Sequence, residues 1–79
     1  SLTALFLRGL KLERLPSWMT NSLFPKLALL DLSKNFIRAI DLHSWTSLQQ
    51  ISLAFNPIEW ETIQWCPNMT YRSINLRST

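Results

Sequence analysis

Glycine, cysteine and charged residues are all scarce in this chain of 79 residues. Glycine and cysteine each occur once, and charged residues make up 16% of the sequence. The single glycine excludes collagen-like and linker-like chains, while the single cysteine excludes an internal disulfide framework and multi-cysteine zinc sites. No apolar run approaches the roughly 18 residues that a membrane-spanning helix needs. We therefore expect one small folded domain over residues 1–79, since the chain is too short for two.

The charge pattern argues against a nucleic-acid partner. The formal net charge is +3, and the eight lysines and arginines are scattered along the chain. A nucleic-acid-binding surface normally requires a basic stripe or cluster. We expect no nucleic-acid partner, no direct insertion of this segment into a membrane, and no cofactor or metal.

Leucine is abundant, with 15 copies, and the apolar residues recur at fixed offsets. Two segments carry apolar residues at offsets 0, 3, 5 and 10 and an asparagine at offset 8. They comprise Leu27, Leu30, Leu32, Asn35 and Ile37, and then Leu48, Ile51, Leu53, Asn56 and Ile58. Two weaker copies start at Leu2 and Tyr71, with Leu10 and Thr79 at the asparagine offset. The four starts, at 2, 27, 48 and 71, define an internal repeat.

This pattern resembles the leucine-rich repeat family, whose L-x-x-L-x-L-x-x-N-x-L core is present twice in full and twice in degraded form. The resemblance covers essentially the whole chain and implies an α/β fold. The expected architecture is a leucine-rich repeat solenoid with a short parallel sheet on the concave face. Loops or short helical turns are expected on the convex face. The likeness is greatest to extracellular members, such as Toll-like receptors and secreted leucine-rich proteins.

Local patterns predict the elements of each repeat. Apolar residues alternate with variable ones over residues 5–7, 30–32, 51–53 and 74–76, as strands with one buried face require. Asn35 and Asn56 follow two of these strands, where a buried amide can satisfy backbone groups in a turn. We predict a structural asparagine ladder there. Short helical turns are predicted within residues 16–24, begun by Pro16 or Ser17, and within residues 59–65. Residues 43–47 are predicted to be extended or a single turn.

Four tryptophans lie in the connecting segments, at positions 18, 45, 60 and 65. The favoured interpretation is that they pack beneath the turns. The alternative is that an exposed tryptophan anchors a partner, with Trp60 and Trp65 as the best candidates.

Catalytic constellations are weak in this sequence. Cys66 with His43 could form a nucleophile and base, but they fall in different repeats without a third, orienting group. Asp41 and His43 lack a nucleophile elbow, and the pair Glu59 and Glu61 lacks a cleft. We therefore expect a non-enzymatic chain.

The resemblance implies that the concave sheet face binds a protein partner. The expected partner-binding residues are Phe6, Arg8, Leu29, Asp31, Ser33, Lys34, Gln50, Ser52, Asn75 and Arg77. Their mixture of apolar and polar side chains, with a mildly basic margin, is typical of a protein-binding surface. Phe55 is also placed outward, although in some family members a phenylalanine at this location packs inward.

Three functions remain open from the sequence. The first is a protein-recognition module from a secreted or cell-surface receptor, including innate-immune types. The second is a cytosolic leucine-rich scaffold or regulatory subunit, and the third is a segment that presents substrate to a catalytic domain elsewhere in a longer chain. Asn68-Met69-Thr70 is a possible N-glycosylation sequon and favours the first function. The lone Cys66, without a flanking disulfide cap, suits the second function as well as the first.

The repeat pattern extends to both ends of the sequence. We therefore expect this chain to be part of a longer protein, with further repeats or caps on one or both sides. Edge-to-edge pairing with another chain is the alternative, because a sheet of this kind has two edge strands.

Overall fold

The computed structural model describes residues 2–67 and 71–76, which contain four short strands and one helical turn. The strands are β1 (Ala4–Phe6), β2 (Leu29–Asp31), β3 (Gln50–Ser52) and β4 (Ser73–Asn75), and the 3-10 helical turn is Trp60–Thr62. Asn68 and Arg77, which the sequence singles out, lie outside the described residues, as does the side chain of Trp60.

The four strands form one parallel sheet in the order β1-β2-β3-β4. Residues at the same repeat offset pair across it, so Leu5 aligns with Leu30, Leu30 with Ile51, and Ile51 with Ile74. The predicted parallel sheet is confirmed, although each strand begins one residue earlier than expected. The described chain is thus a small α/β fold with little helix.

The four repeats that start at residues 2, 27, 48 and 71 form four consecutive segments of the chain. The core lies beneath the inner face of the sheet and is formed mainly by the second and third segments. Trp45 and Leu42, from the connection between them, are almost fully buried and pack with the inward residues of β2 and β3. The cluster consists of Met19, Leu27, Leu30, Leu32, Ile37, Ile40, Leu42, Trp45, Leu48, Ile51, Leu53 and Ile63. Burying these side chains is the main source of stability in a domain of this size.

Burial falls toward both ends of the sheet. Leu5 and Leu7 of the first segment are only partly buried, and Ile74 of β4 is 43% exposed. Each end segment has a neighbour on one side alone, so its inward side chains are covered on one side alone.

Asn35 joins the second segment to the first through its buried side-chain amide. Its Nδ2 donates to the carbonyl oxygen of Leu7 at 3.0 Å and to that of Leu32 at 2.8 Å. Its Oδ1 accepts hydrogen bonds from the backbone N–H of Leu10 at 2.9 Å and of Leu12 at 3.0 Å. One side chain therefore satisfies backbone groups in two successive segments.

Asn56 does the same between the third and second segments. Its Nδ2 donates to the carbonyl oxygens of Leu32 at 2.9 Å and of Leu53 at 3.0 Å. Its Oδ1 accepts the N–H of Ile37 at 3.0 Å. Backbone groups of the second segment are thus bonded both by its own Asn35 and by Asn56 of the third segment.

The residue immediately before each asparagine has a left-handed backbone. Lys34 and Phe55 have φ values of 58° and 60°, and Gly9 at the matching offset has 66°. This conformation costs a non-glycine residue about 1–2 kcal/mol. The asparagine hydrogen bonds and the packing behind the turn compensate for this cost in the second and third segments.

The connection between β1 and β2 differs from the prediction. Residues 16–24 form hydrogen-bonded turns without an assigned helix. One turn begins at Pro16, as predicted, since its carbonyl oxygen accepts the N–H of Met19 at 2.9 Å. A further turn begins at Thr20, whose Oγ1 and carbonyl oxygen both accept the N–H of Leu23. A second bond from the N–H of Phe24 closes this single turn.

The connection between β3 and β4 contains less helix than predicted for residues 59–65. The 3-10 turn ends at Thr62 because Gln64 forms a parallel bridge with Asp41 of the preceding segment. The N–H of Leu42 donates to the carbonyl oxygen of Gln64 at 2.7 Å. Residues 43–47 form turns, and the N–H of His43 bonds to Asp41 Oδ1 at 2.9 Å.

We predict that Asn35→Ala lowers the free energy of unfolding by about 3 kcal/mol or more, because it leaves several buried backbone groups without partners. Chemical denaturation monitored by tryptophan fluorescence measures the change. Asn21→Ala is the matched control, since the buried Oδ1 of Asn21 has no hydrogen-bond partner among the described residues. The control should change stability by less than about 0.5 kcal/mol. Equal effects of the two substitutions would contradict the role given to Asn35.

Candidate functional site

The sheet has an outer face, formed by the strand residues that alternate away from the core. Two rows of side chains cross it, because the parallel strands are in register. The first row consists of Ala4, Leu29, Gln50 and Ser73, and the second consists of Phe6, Asp31, Ser52 and Asn75. Six of the residues expected to bind a partner lie in these two rows. They are Phe6 on β1, Leu29 and Asp31 on β2, Gln50 and Ser52 on β3, and Asn75 on β4.

A shallow depression on the outer face has a volume of about 210 Å³ and is lined by residues of all four strands. Pockets for small organic ligands usually measure about 300–1,000 Å³. The depression is therefore of a size to accept one or two side chains of a larger partner. Ser73 lines it too, although it is not among the ten expected partner residues. Its repeat offset, shared with Leu29 and Gln50, is the sequence signal that identifies it.

Phe6 provides the largest apolar surface on the outer face. Its side chain is 64% exposed, whereas Leu29 in the other row is half-buried. An exposed phenylalanine contributes little to the core, and its ring is accessible to a partner on this face. The apolar part of the face lies on β1 and β2.

Ser33 is buried, which contradicts its expected place on the partner-binding surface. Only 4% of the residue is exposed. Its hydroxyl donates to Asp31 Oδ1 at 2.6 Å, and its backbone N–H donates to the same oxygen at 2.9 Å. The strand has ended at Asp31, so the alternation of outward and inward side chains does not extend to residue 33. Ala54, at the same offset, is also buried.

Basic residues lie beyond the strand ends, at the margin of the outer face. The Lys34 ammonium lies 5.8 Å from the centroid of the Phe55 ring, a cation–π geometry. Phe55 is 39% exposed and has not turned into the core. Arg8 is exposed, while Arg77 is outside the described residues.

The tryptophans do not share one environment. Trp45 is buried, as the packing interpretation predicts, and half-buried Trp65 makes an edge contact with Tyr71 at 5.3 Å between ring centroids. Trp18 instead is 55% exposed and contacts Phe24 at its edge. The expectation that all four pack beneath the turns is therefore wrong for Trp18.

The residues considered for catalysis are not brought together. Cys66 is buried and His43 exposed, and no hydrogen bond joins them in the described part of the chain. Glu59 forms an exposed ion pair with Arg38 at 3.5 Å. Within residues 2–67 and 71–76, no group of three or more histidine, cysteine or acidic side chains could hold a metal ion.

Comparisons with protein-family models, with curated proteins and with solved structures found no match to this chain. Nor do the described residues include a helix with the length and apolar character needed to cross a membrane.

Proposed function

We propose that this chain is a non-catalytic protein-recognition module of the leucine-rich repeat type. The outer face of the sheet is its binding surface. The observation that carries the proposal is the shallow depression, which is lined by all four strands and bordered by the exposed ring of Phe6. A broad, shallow surface with an exposed aromatic suits a protein partner better than a small ligand.

The repeat phase supports the leucine-rich repeat assignment. Equivalent offsets of the four segments pair across the sheet, and Asn35 and Asn56 each bond backbone groups of the preceding segment. Stacking of similar segments in this way is the organising feature of a solenoid. In such an architecture the sheet forms a concave surface, which is where we place the partner.

For the location of the module we propose the extracellular space or the cell surface, as part of a secreted or receptor protein of the innate-immune type. The Asn68-Met69-Thr70 sequon supports this location. The alternative is a cytosolic leucine-rich repeat scaffold or regulatory subunit. Cys66 is compatible with that alternative, since it has no partner cysteine within these 79 residues.

We predict that a photoreactive residue on the outer face will capture a protein partner. Phe6 is replaced with p-benzoylphenylalanine in cells that naturally express the chain, which are then irradiated. A discrete adduct with another protein is expected, because the side chain at position 6 is exposed beside the depression. Phe36 is the matched control, since it is 56% exposed but does not line the depression. The absence of an adduct at position 6, or equal capture at both positions, would contradict the proposed surface.

We predict that Asn68 carries an N-linked glycan in natural material. Enzymatic removal of N-glycans should then lower the mass of the peptide that contains Asn68, and an Asn68→Gln variant should show no such change. An unmodified Asn68, with Cys66 recovered as a free thiol, would shift the assignment to the cytosolic scaffold.

A further inference from the structure

Among the residues that the structure describes, Asp31 is the one charged residue that lines the depression of the outer face. It lies in the second row, between Phe6 on β1 and Ser52 on β3. The rest of the lining is apolar or carries neutral polar groups, such as those of Gln50 and Ser52. The chain has a net charge of +3, yet the described lining of this depression carries a negative charge, that of Asp31.

The carboxylate of Asp31 is held in place by Ser33. Both the hydroxyl and the backbone N–H of Ser33 donate to Oδ1 of Asp31. Oδ2 accepts no hydrogen bond from the described residues, and no lysine or arginine among them lies within ion-pair distance. Asp31 is half-buried, so its second oxygen is a fixed acceptor that is partly withdrawn from water.

Phe6 lies beside this carboxylate. The two residues are register partners on adjacent strands, whose backbones are separated by about 4.8 Å. The Phe6 ring is 64% exposed, so its surface is available to a partner. A carboxylate next to an aromatic ring forms a combined site for a cation, because both groups attract positive charge.

Apolar, acidic and basic side chains of a partner fit this site differently. An apolar side chain would cover Asp31 Oδ2 without offering it a hydrogen bond, which is costly for a buried charged group. An acidic side chain would be repelled by Asp31. Arginine fits best, because its planar guanidinium can stack on a ring and donate to a carboxylate together, whereas lysine presents a single point charge.

We propose that the depression binds an arginine side chain of a protein partner, with the guanidinium stacked on Phe6 and hydrogen-bonded to Asp31. This inference rests on the proposed function, since it names the chemistry of the partner at the same surface. Gln50 and Ser52 provide neutral polar groups beside the arginine stem. The partner segment must therefore present an exposed arginine at the centre of its contact with the sheet.

The test is an NMR titration of the full 79-residue chain with the capped tripeptide acetyl-Gly-Arg-Gly-amide. Saturable shifts are expected for the Phe6 ring protons and for the amides of Asp31 and Ser52, at millimolar peptide. The peptide in which citrulline replaces arginine is nearly the same shape but uncharged, and it should bind at least about fivefold more weakly. A matching glutamate peptide should not bind to this face.

Two variants assign the effect to Asp31. Asp31→Asn keeps an acceptor for Ser33 and should weaken arginine-peptide binding about tenfold. Asp41→Asn is the matched control, because Asp41 also accepts a backbone N–H two residues on, that of His43, but does not line the depression. It should leave binding unchanged. Dispersed amide signals in both variants establish that each is folded.

Several results would overturn the arginine assignment. These are equal binding of the arginine and citrulline peptides, an unchanged affinity of Asp31→Asn for the arginine peptide, and the absence of chemical-shift changes at Phe6 and Asp31 with every peptide. Shifts of the same signals on raising the protein concentration alone would identify a second copy of the chain as the occupant. In each of these cases the photo-crosslinking at Phe6 still decides the proposed function separately.

Discussion

The buried amides of Asn35 and Asn56 are the interaction on which the rest of this structure depends. At each of these positions the chain leaves a strand and must turn over the end of the core, where its backbone groups have no strand partner. The asparagine side chain supplies both a donor and an acceptor there, and it reaches the preceding segment as well as its own. The two asparagines also share an acceptor, since the carbonyl oxygen of Leu32 accepts hydrogen bonds from both of their side-chain amides.

Fixing the turns also fixes the outer face. The backbone hydrogen-bond ladder continues past the strand ends, where the N–H of Leu32 donates to Ser52 and that of Lys34 to Ala54. Neighbouring segments are therefore held in one register, and side chains at equal offsets line up across the sheet. The pairing of Phe6 with Asp31 follows from that register, as does the depression between the four strands. In this way a structural device in the turns positions the surface that we propose to bind a partner.

Much of the sheet could be predicted from the repeat offsets, because a fixed spacing of buried leucines leaves one parallel register that buries them all. The strands differ from prediction by a single residue. Ser33 was misplaced because alternation was extended beyond the end of β2. The helix predicted over residues 59–65 was too long because the bridge between Asp41 and Gln64 joins different segments, and no local pattern encodes it.

The candidate site was predicted less completely than the fold. The offsets identified Phe6, Leu29, Asp31, Gln50 and Ser52 as outward residues. The mildly basic margin that the sequence suggested agrees with the exposed positions of Arg8 and Lys34, while among the described residues the charge within the depression is that of Asp31. The repeat offsets do not predict this charge, because it depends on where each strand ends and on the direction in which the lysine side chains extend. Lys34, for example, lies over Phe55 and not beside Asp31.

Amide hydrogen exchange tests the central role of the asparagines most directly. The N–H of Ile37 bonds only to the side-chain oxygen of Asn56, whereas that of Ala39, two residues on, has no partner among the described residues. We predict that Ile37 exchanges at least roughly 100-fold more slowly than Ala39, relative to their intrinsic rates. Equally fast exchange at both amides would show that the asparagine bonds do not persist, and it would contradict this account.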